Sequence, residues 1–147
     1  MNYSIDAIEK KEYPFVVDLW EASVRATHHF LKEEDILYFK PLILNTYLDA
    51  VKLSCIRDGD GNILGFQGVA EENLEMLFIH PDQRRKGIGK ALLEHAVKKL
   101  GITKVDVNEQ NEQALGFYQH HGFEVISRSE LDSSGKAYPI LHMELKA

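Results

Sequence analysis

The chain has 147 residues, of which 44% are hydrophobic, and a formal net charge of -6 at pH 7. A chain of this length buries about two thirds of its unfolded surface around one core, so we predict a single domain spanning residues 1–147. The acidic balance disfavours nucleic acid as a partner, since surfaces that bind nucleic acid are usually basic. A single cysteine, Cys55, excludes an internal disulfide, and the absence of a leader-like or membrane-length apolar run predicts a cytoplasmic protein.

The hydrophobic pattern predicts the element order βααβββαβαββ, with period-two runs read as strands and period-3.6 runs read as helices. In chain order these are a strand at Tyr3–Ile8, a helix from about Pro14, a helical region within Glu33–Ala50 that Pro41 interrupts, strands at Lys52–Arg57, Ile63–Ala70 and Leu74–Ile79, a helix over Gly87–Leu100, a strand at Thr103–Asn108, a helix from about Asn111 to His120, and strands at Phe123–Glu130 and Tyr138–Leu145. Two short polar segments, 58–62 and 132–135, are expected to be hairpin turns.

The most informative segment joins the strand that ends at Ile79 to the helix over Gly87–Leu100. Gly87 and Gly89 fall in the first helical turn, where backbone N–H groups have no intrahelical partner. Glycine lets an anion approach the backbone closely, and the positive end of the helix dipole favours negative charge. Four cations accompany these glycines: Arg84, Arg85, Lys86 and Lys90. We therefore predict a phosphate-binding cradle at this helix start.

Two common phosphate motifs do not match the cradle. A dinucleotide-binding motif requires glycine or alanine where Leu92 stands, and a Walker loop requires serine or threonine where Ala91 stands. The pattern that fits is arginine or glutamine, two residues, glycine, one residue, then glycine or alanine, which is Arg84-Arg85-Lys86-Gly87-Ile88-Gly89 here. This segment resembles the pyrophosphate loop of the GNAT acyltransferase superfamily.

A second motif downstream adds to the resemblance. Superfamily members typically carry an asparagine, followed seven residues later by a tyrosine that an aromatic residue precedes, and then glycine-phenylalanine. These residues are Asn111, Phe117-Tyr118 and Gly122-Phe123 in this chain. The resemblance is strong over residues 74–126 and weaker over the rest. It implies an α/β (α+β) fold with a single mixed, mostly antiparallel sheet, splayed open between the strands at 74–79 and 103–108 and flanked by helices.

The resemblance further implies an acetyl-CoA-dependent N-acetyltransferase that needs no metal. Its acetyl group would pass to a primary amine by direct attack in a ternary complex, so the chain would need no nucleophilic residue. Pantetheine would pair with the backbone of Leu77-Phe78-Ile79 as an added strand would, and a backbone N–H would stabilise the tetrahedral intermediate. The phosphates would bind segment 84–90, which comprises Arg84, Arg85, Lys86, Gly87, Ile88, Gly89 and Lys90. The alternative is a non-catalytic acyl-CoA-binding or sensing domain that keeps the cradle.

Tyr118 is the predicted general acid, because the resemblance puts its phenol within reach of the departing sulfur. The alternative for this tyrosine is simple packing beside Phe117. Asn111 is expected either to bond pantetheine or to cap the following helix, since asparagine is a favoured N-cap residue. The two roles of Asn111 are compatible.

The general base is predicted to be Glu75 or Asp106. Glu75 interrupts an apolar strand, where a carboxylate is costly unless it is used or paired, and it is the first choice. Asp106 has an alternative in pairing with Lys104 on the same strand face. His28 and His29 lie where the first helix ends, beside the acceptor pocket of the superfamily, and can bind substrate or serve as base. A histidine also suits a helix C-terminus for electrostatic reasons.

The acceptor region carries no recognisable motif. Phe30 and Tyr38 are expected to floor the acceptor pocket, although a core role also fits each of them. We therefore predict a small-molecule or peptide amine as acceptor, no nucleic-acid or membrane partner, and a monomer or homodimer. Cys55 is expected to be a small apolar core residue.

Overall fold

The computed structural model describes residues 3–146. Its seven strands are β1 (Asp6–Ala7), β2 (Lys52–Arg57), β3 (Ile63–Ala70), β4 (Asn73–Ile79), β5 (Lys104–Asn108), β6 (Phe123–Ser129) and β7 (Ile140–Leu145). Its four α-helices are α1 (Tyr13–Thr27), α2 (Glu33–Leu42), α3 (Ile88–Leu100) and α4 (Glu112–His120). The order of strands and α-helices is the predicted one. Met1, Asn2 and Ala147, which belong to the predicted domain, lie outside the described residues.

Two elements differ from the prediction. The first strand is only two residues long, because it pairs with β2 at Asp6 and Ala7 and at neither end beyond them. Pro41 lies inside α2 and does not end the helical region. Proline removes one backbone N–H, and the chain continues through a wider π-helical turn at Ile43–Tyr47 and a tighter turn at Leu48–Ala50.

The sheet is open in its middle. The strand order is β1-β2-β3-β4-β5-β7-β6, and every neighbouring pair is antiparallel except β4 and β5. These two parallel strands pair only at Asn73 with Lys104 and at Leu74 with Val105. Beyond those pairs the strands separate, and we call the resulting gap the fork. The edge of β4 that faces the fork is therefore available for pairing with another extended chain.

Helices cover both faces of the sheet. Helices α1 and α2 share a hydrophobic cluster with β2 to β4, which includes Trp20, Cys55 and Phe66. On the other face, α3 packs against β2 to β4, and it shares with α4 and β5 to β7 a second cluster that includes Leu93 and Met143. Burial of Cys55 confirms its predicted core role and raises the pKa of its thiol to about 11. None of the described helices has both the length and the apolar character needed to cross a membrane.

Candidate active site

An open cavity of about 340 Å³ lies at the fork, between the end of α1 and the start of α4. A cavity of this size is in the range of small-molecule and cofactor sites. It is lined by Ser23, Thr27 and His28 from the α1 side, by Leu77, Phe78 and Ile79 of β4, by Gln83, Arg84, Arg85, Gly87, Ile88, Gly89 and Lys90 around the start of α3, and by Asn111, Gln113, Ala114, Phe117 and Tyr118 at α4. The folded chain therefore brings the two halves of the sequence motif onto one cavity.

The predicted site residues divide into two groups. Those that line the cavity are His28, Leu77, Phe78, Ile79, Arg84, Arg85, Gly87, Ile88, Gly89, Lys90, Asn111 and Tyr118. Those that do not line it are His29, Phe30, Tyr38, Glu75, Lys86 and Asp106. The first group holds nearly the whole predicted cofactor set, whereas the second holds both carboxylates chosen as bases.

The backbone of the cradle is arranged to receive an anion. Arg85 and Gly87 have left-handed φ angles of 65° and 81°, and alternating backbone conformations of this kind turn successive N–H groups into a concavity. The first α3 bond runs from the N–H of Ala91 to the carbonyl of Gly87 at 3.0 Å. The N–H groups of Ile88, Gly89 and Lys90 thus precede the hydrogen-bonded turns of the helix. A left-handed backbone conformation at a non-glycine residue such as Arg85 costs free energy, and strained residues of this kind are frequent at functional sites.

Two side-chain contacts hold the cradle in place. The hydroxyl of Tyr3 donates to the carbonyl oxygen of Lys86 at 2.7 Å. Because the carbonyl and the next N–H of a trans peptide point in opposite directions, this bond turns the Gly87 N–H away from Tyr3. The Arg84 guanidinium donates to the side-chain oxygen of Gln113 on α4. This contact connects the cradle with the helix on the far side of the fork.

Tyr118 is buried in the cavity wall, with 7% of its surface exposed. Its ring packs edge-on against Phe117 and Phe123, with centroid distances of 5.3 and 5.9 Å. Its hydroxyl makes no hydrogen bond to residues 3–146. The hydroxyl oxygen is not fully enclosed, so a group in the cavity can reach it. Burial raises the pKa of this phenol above its ordinary value. Tyr118 therefore stays protonated, and its hydroxyl can donate to a group in the cavity.

A directed chain of hydrogen bonds runs from α1 to α4 across the mouth of the fork. The hydroxyl of Thr27 donates its only proton to the Ser23 carbonyl at 2.8 Å, so its oxygen must accept from Nδ1–H of His28 at 2.7 Å. Nε2 of His28 is then an acceptor, 3.4 Å from the Nδ2 of Asn111. The oxygen of Asn111 accepts from the Ala114 N–H at 3.1 Å. Asn111 is therefore the N-cap of α4, which is one of its two predicted roles.

His28 should make the protein sensitive to mild acid. Burial, aided by His29, lowers the pKa of His28 from 6.5 to about 4. The unfolded chain takes up a proton near pH 6.5 and the folded chain only near pH 4, so stability is lost as pH falls through that window, by about 2 kcal/mol at pH 5. Thermal melts at pH 8 and pH 5 should show a larger decrease for the parent than for His28→Gln. Equal decreases would contradict a buried neutral His28.

The structure corrects the reasoning that favoured Glu75. The residue lies at a bulge in β4, since Gly68 pairs with Met76 and Val69 pairs with Leu74, and its side chain is exposed. No desolvation cost therefore has to be offset at Glu75. Asp106 is also exposed, and it bonds His142 at 2.7 Å, whereas its expected partner Lys104 pairs with Glu72.

The predicted acceptor residues are scattered. Phe30 packs against His28 with ring centroids 5.3 Å apart, so it contacts a cavity residue without lining the cavity itself. Tyr38 is 46% exposed, and the Lys136 ammonium lies 4.3 Å from its ring centroid. His29 is exposed at the end of α1. These three side chains do not form one pocket floor.

Four polar residues that the sequence did not indicate as site residues also line the cavity: Ser23, Thr27, Gln83 and Gln113. Thr27 follows Ser23 by one helical turn, and this spacing was the only available signal for that pair. Gln113 is exposed and two residues away from Asn111, with no local pattern that marks it.

The splayed sheet, the backbone cradle beside the gap and the phenol of Tyr118 in the cavity wall are the arrangement that the resemblance to the GNAT acyltransferases predicted. Comparison with known proteins agrees. A family model described as acetyltransferase (GNAT) domain matches residues 52–125. The chain is 40% identical to the peptidyl-lysine N-acetyltransferase YjaB of Salmonella typhimurium and 38% identical to YjaB of Escherichia coli. Each match covers 97% of this chain and 97–98% of the relative.

Solved structures give the same result. The solution structure of apo-form YjaB from Escherichia coli matches with a TM-score of 0.89 at 38% identity, over 98% of this chain and 97% of that one. The PaiA N-acetyltransferase of Thermoplasma acidophilum, solved with coenzyme A, shares the fold with a TM-score of 0.73 at 23% identity, over the full length of both chains. The chain belongs to the GNAT family of acetyltransferases. It is an N-acetyltransferase, and not the non-catalytic acyl-CoA-binding domain that was the alternative.

Proposed function

We propose that the protein acetylates the ε-amino group of lysine in peptides or proteins, with acetyl-CoA bound at the fork. The observation that carries this proposal is the similarity, over 97% of the chain, to two relatives named peptidyl-lysine N-acetyltransferase. The net charge of -6 supports a cationic acceptor, since an acidic surface raises the local concentration of positively charged ligands.

The coenzyme is proposed to lie along the cavity from the cradle to Tyr118. Its pyrophosphate would accept from the N–H groups at the start of α3, near the cations Arg84, Arg85 and Lys90 that line the cavity. Its pantetheine would use the unpaired edge of β4 at residues 77–79. Lys86 would contribute only long-range charge, because its side chain is directed to Gln83 at 3.2 Å.

The acetyl group would move in one displacement. The neutral amine attacks the thioester carbonyl, a C–N bond forms, and collapse of the tetrahedral intermediate breaks the C–S bond. Tyr118 donates its proton to the departing sulfur. Although burial makes the phenol less acidic, the same surroundings also disfavour the thiolate anion, so the transfer is not opposed by the environment.

His28 is the base candidate that the structure supports best. It lines the cavity together with Tyr118, and the hydrogen-bond chain leaves its Nε2 as an acceptor held only by a long contact to Asn111. Because its pKa is lowered to about 4, His28 is neutral near pH 7, so it can take the proton of the intermediate's ammonium, which is more acidic than that of a free amine, and pass it on to water. Glu75, Asp106 and His29 are exposed and do not line the cavity.

Four variants should separate these base candidates once an acceptor is in hand. His28→Gln removes basicity but keeps a polar side chain, so turnover should fall by about 10²- to 10⁴-fold near neutral pH and recover partly toward the pKa of the amine. Glu75→Gln, Asp106→Asn and His29→Gln should retain most of the rate. The measurement is a pH–rate profile for each variant with coenzyme A affinity as control. A strong loss confined to Glu75→Gln would return the role to Glu75.

The acceptor is tested with matched peptides. One peptide has a blocked N-terminus and one lysine, and its partner has arginine in place of lysine, which keeps the charge but removes the acceptor amine. We expect coenzyme A release and an acetylated product with the lysine peptide alone. Acetylation of spermidine or free amino acids, but of no lysine peptide, would overturn the acceptor assignment. The cytoplasmic location and the monomeric or homodimeric state stay predictions from the sequence.

A further inference from the structure

Three polar side chains form a line on the face of β5, β7 and β6 that lies opposite the α3–α4 cluster. Nδ1 of His142 on β7 is 2.7 Å from the Oδ1 of Asp106 on β5, and Nε2 of the same imidazole is 2.6 Å from the hydroxyl of Ser129 on β6. An ionised carboxylate only accepts hydrogen bonds, so Nδ1 carries the proton. Nε2 then accepts from the Ser129 hydroxyl.

The sheet itself fixes this alignment. Asp106 and His142 are direct partners in the β5–β7 register. Their neighbours Val105, Val107, Leu141 and Met143 are all buried on the other face, so alternation directs Asp106 and His142 away from the core. The two side chains are 44% and 34% exposed, and Ser129 is half-buried. All three are therefore reachable from solvent.

The end of β6 is also pinned. Arg128, the neighbour of Ser129, pairs with Glu109 after the end of β5. Since successive side chains of a strand point to opposite faces, this pair holds Ser129 toward the His142 side. The ion pair on the other face therefore helps to fix the direction of the Ser129 side chain.

We propose that Ser129, His142 and Asp106 form a second acyl-transfer site, at which the Ser129 hydroxyl accepts an acyl group from a small activated ester and passes it to water. A carboxylate, an imidazole and a hydroxyl in this order are the arrangement that activates a serine nucleophile, and it is recognised by geometry, not by position in the chain. None of the three residues lines the cavity at the fork. The site therefore acts independently of acetyl transfer to amines.

The reaction consumes only the ester and water. His142 Nε2 takes the proton of Ser129 as its oxygen bonds to the ester carbonyl carbon, giving a tetrahedral intermediate and an imidazolium that Asp106 stabilises. The intermediate collapses, the bond to the leaving alcohol breaks, and the alcohol takes the imidazolium proton. Water then attacks the acyl-serine with His142 again as base, which releases the carboxylic acid and restores the hydroxyl.

The test uses p-nitrophenyl acetate with the purified full chain, without acetyl-CoA or amine. We expect release of p-nitrophenol and an acetyl group on the peptide that contains Ser129, detected by mass spectrometry. Ser129→Ala should reduce the release by about 10²-fold, as loss of nucleophile and base catalysis requires. Ser127→Ala is the matched control, because Ser127 is the register partner of His142 but its hydroxyl does not bond it within the described residues. This control should react at the parent rate.

Two further variants keep the proposal open to contradiction. Asp106→Asn should also reduce ester turnover, because the imidazole loses the group that fixes its tautomer. Tyr118→Phe should leave ester turnover unchanged, since Tyr118 belongs to the other site. If Ser129→Ala reacts as fast as the parent, if acetyl is found only on lysines, or if Tyr118→Phe abolishes the release, the second site does not exist.

Discussion

The Gly87→Glu variant is expected to fold and to lose coenzyme A binding. Gly87 lines the cavity and is the residue before the first turn of α3. A glutamate side chain there occupies the space of the phosphates. Its negative charge also repels the phosphates at a helix start that would otherwise attract an anion. Calorimetric titration with coenzyme A should show no measurable binding.

The fold should survive because an added Cβ at Gly87 meets only the ring of Tyr3, at 3.9 Å. The remaining cost is that of a non-glycine residue at a φ of 81°, about 1–2 kcal/mol. Gly101→Glu is the matched control, since Gly101 has a φ of 71°, ends the same helix, and an added Cβ there meets nothing within 4 Å. Parental affinity in Gly87→Glu, with a normal circular dichroism spectrum, would remove the cradle assignment.

Tyr118→Phe is expected to lower turnover by about 10²- to 10⁴-fold, the range typical of a lost general acid. The ring contacts with Phe117 and Phe123 remain, and the hydroxyl that is removed bonds no residue in the range 3–146. Stability and coenzyme A affinity should therefore change little. Steady-state kinetics should show kcat and kcat/KM falling together, as expected when an interaction of the transition state is lost.

Tyr47→Phe provides a matched control for the tyrosine variant. Tyr47 is half-buried on the α2 side, does not line the cavity, and should tolerate the change without loss of rate. If Tyr118→Phe keeps the parent rate while the chemical step limits turnover, another group or water protonates the thiolate, and the proposed role of Tyr118 is wrong.

The sequence was sufficient where local pattern and physical constraint coincide. Helix α3 has a periodic apolar face and a glycine at its N-cap, so the helix was predictable. The asparagine before α4 was predictable for the same reason, since an N-cap is a local hydrogen bond. The element bounds at β2 and β3 agree with the hydrophobic alternation residue for residue.

The sequence was insufficient where the site depends on contacts across the fold. His28 and Asn111 are 83 residues apart, and nothing local indicates that they meet. The burial argument for Glu75 does not hold, because an apolar run on a strand does not say which of its faces is covered, and the bulge at this position leaves the carboxylate exposed. Ser129 and His142 meet only because β6 and β7 pair in one particular register.

The sparse pairing at the fork has a consequence for the lifetime of the protein. Two backbone pairs join β4 to β5, and the contacts His28–Asn111 and Arg84–Gln113 connect their flanks. A coenzyme that fills the gap binds the folded state alone, so at a concentration a hundredfold above its Kd it adds about 2.7 kcal/mol of stability. We therefore expect the folded fraction, and with it the resistance to proteolysis, to rise with the concentration of the coenzyme.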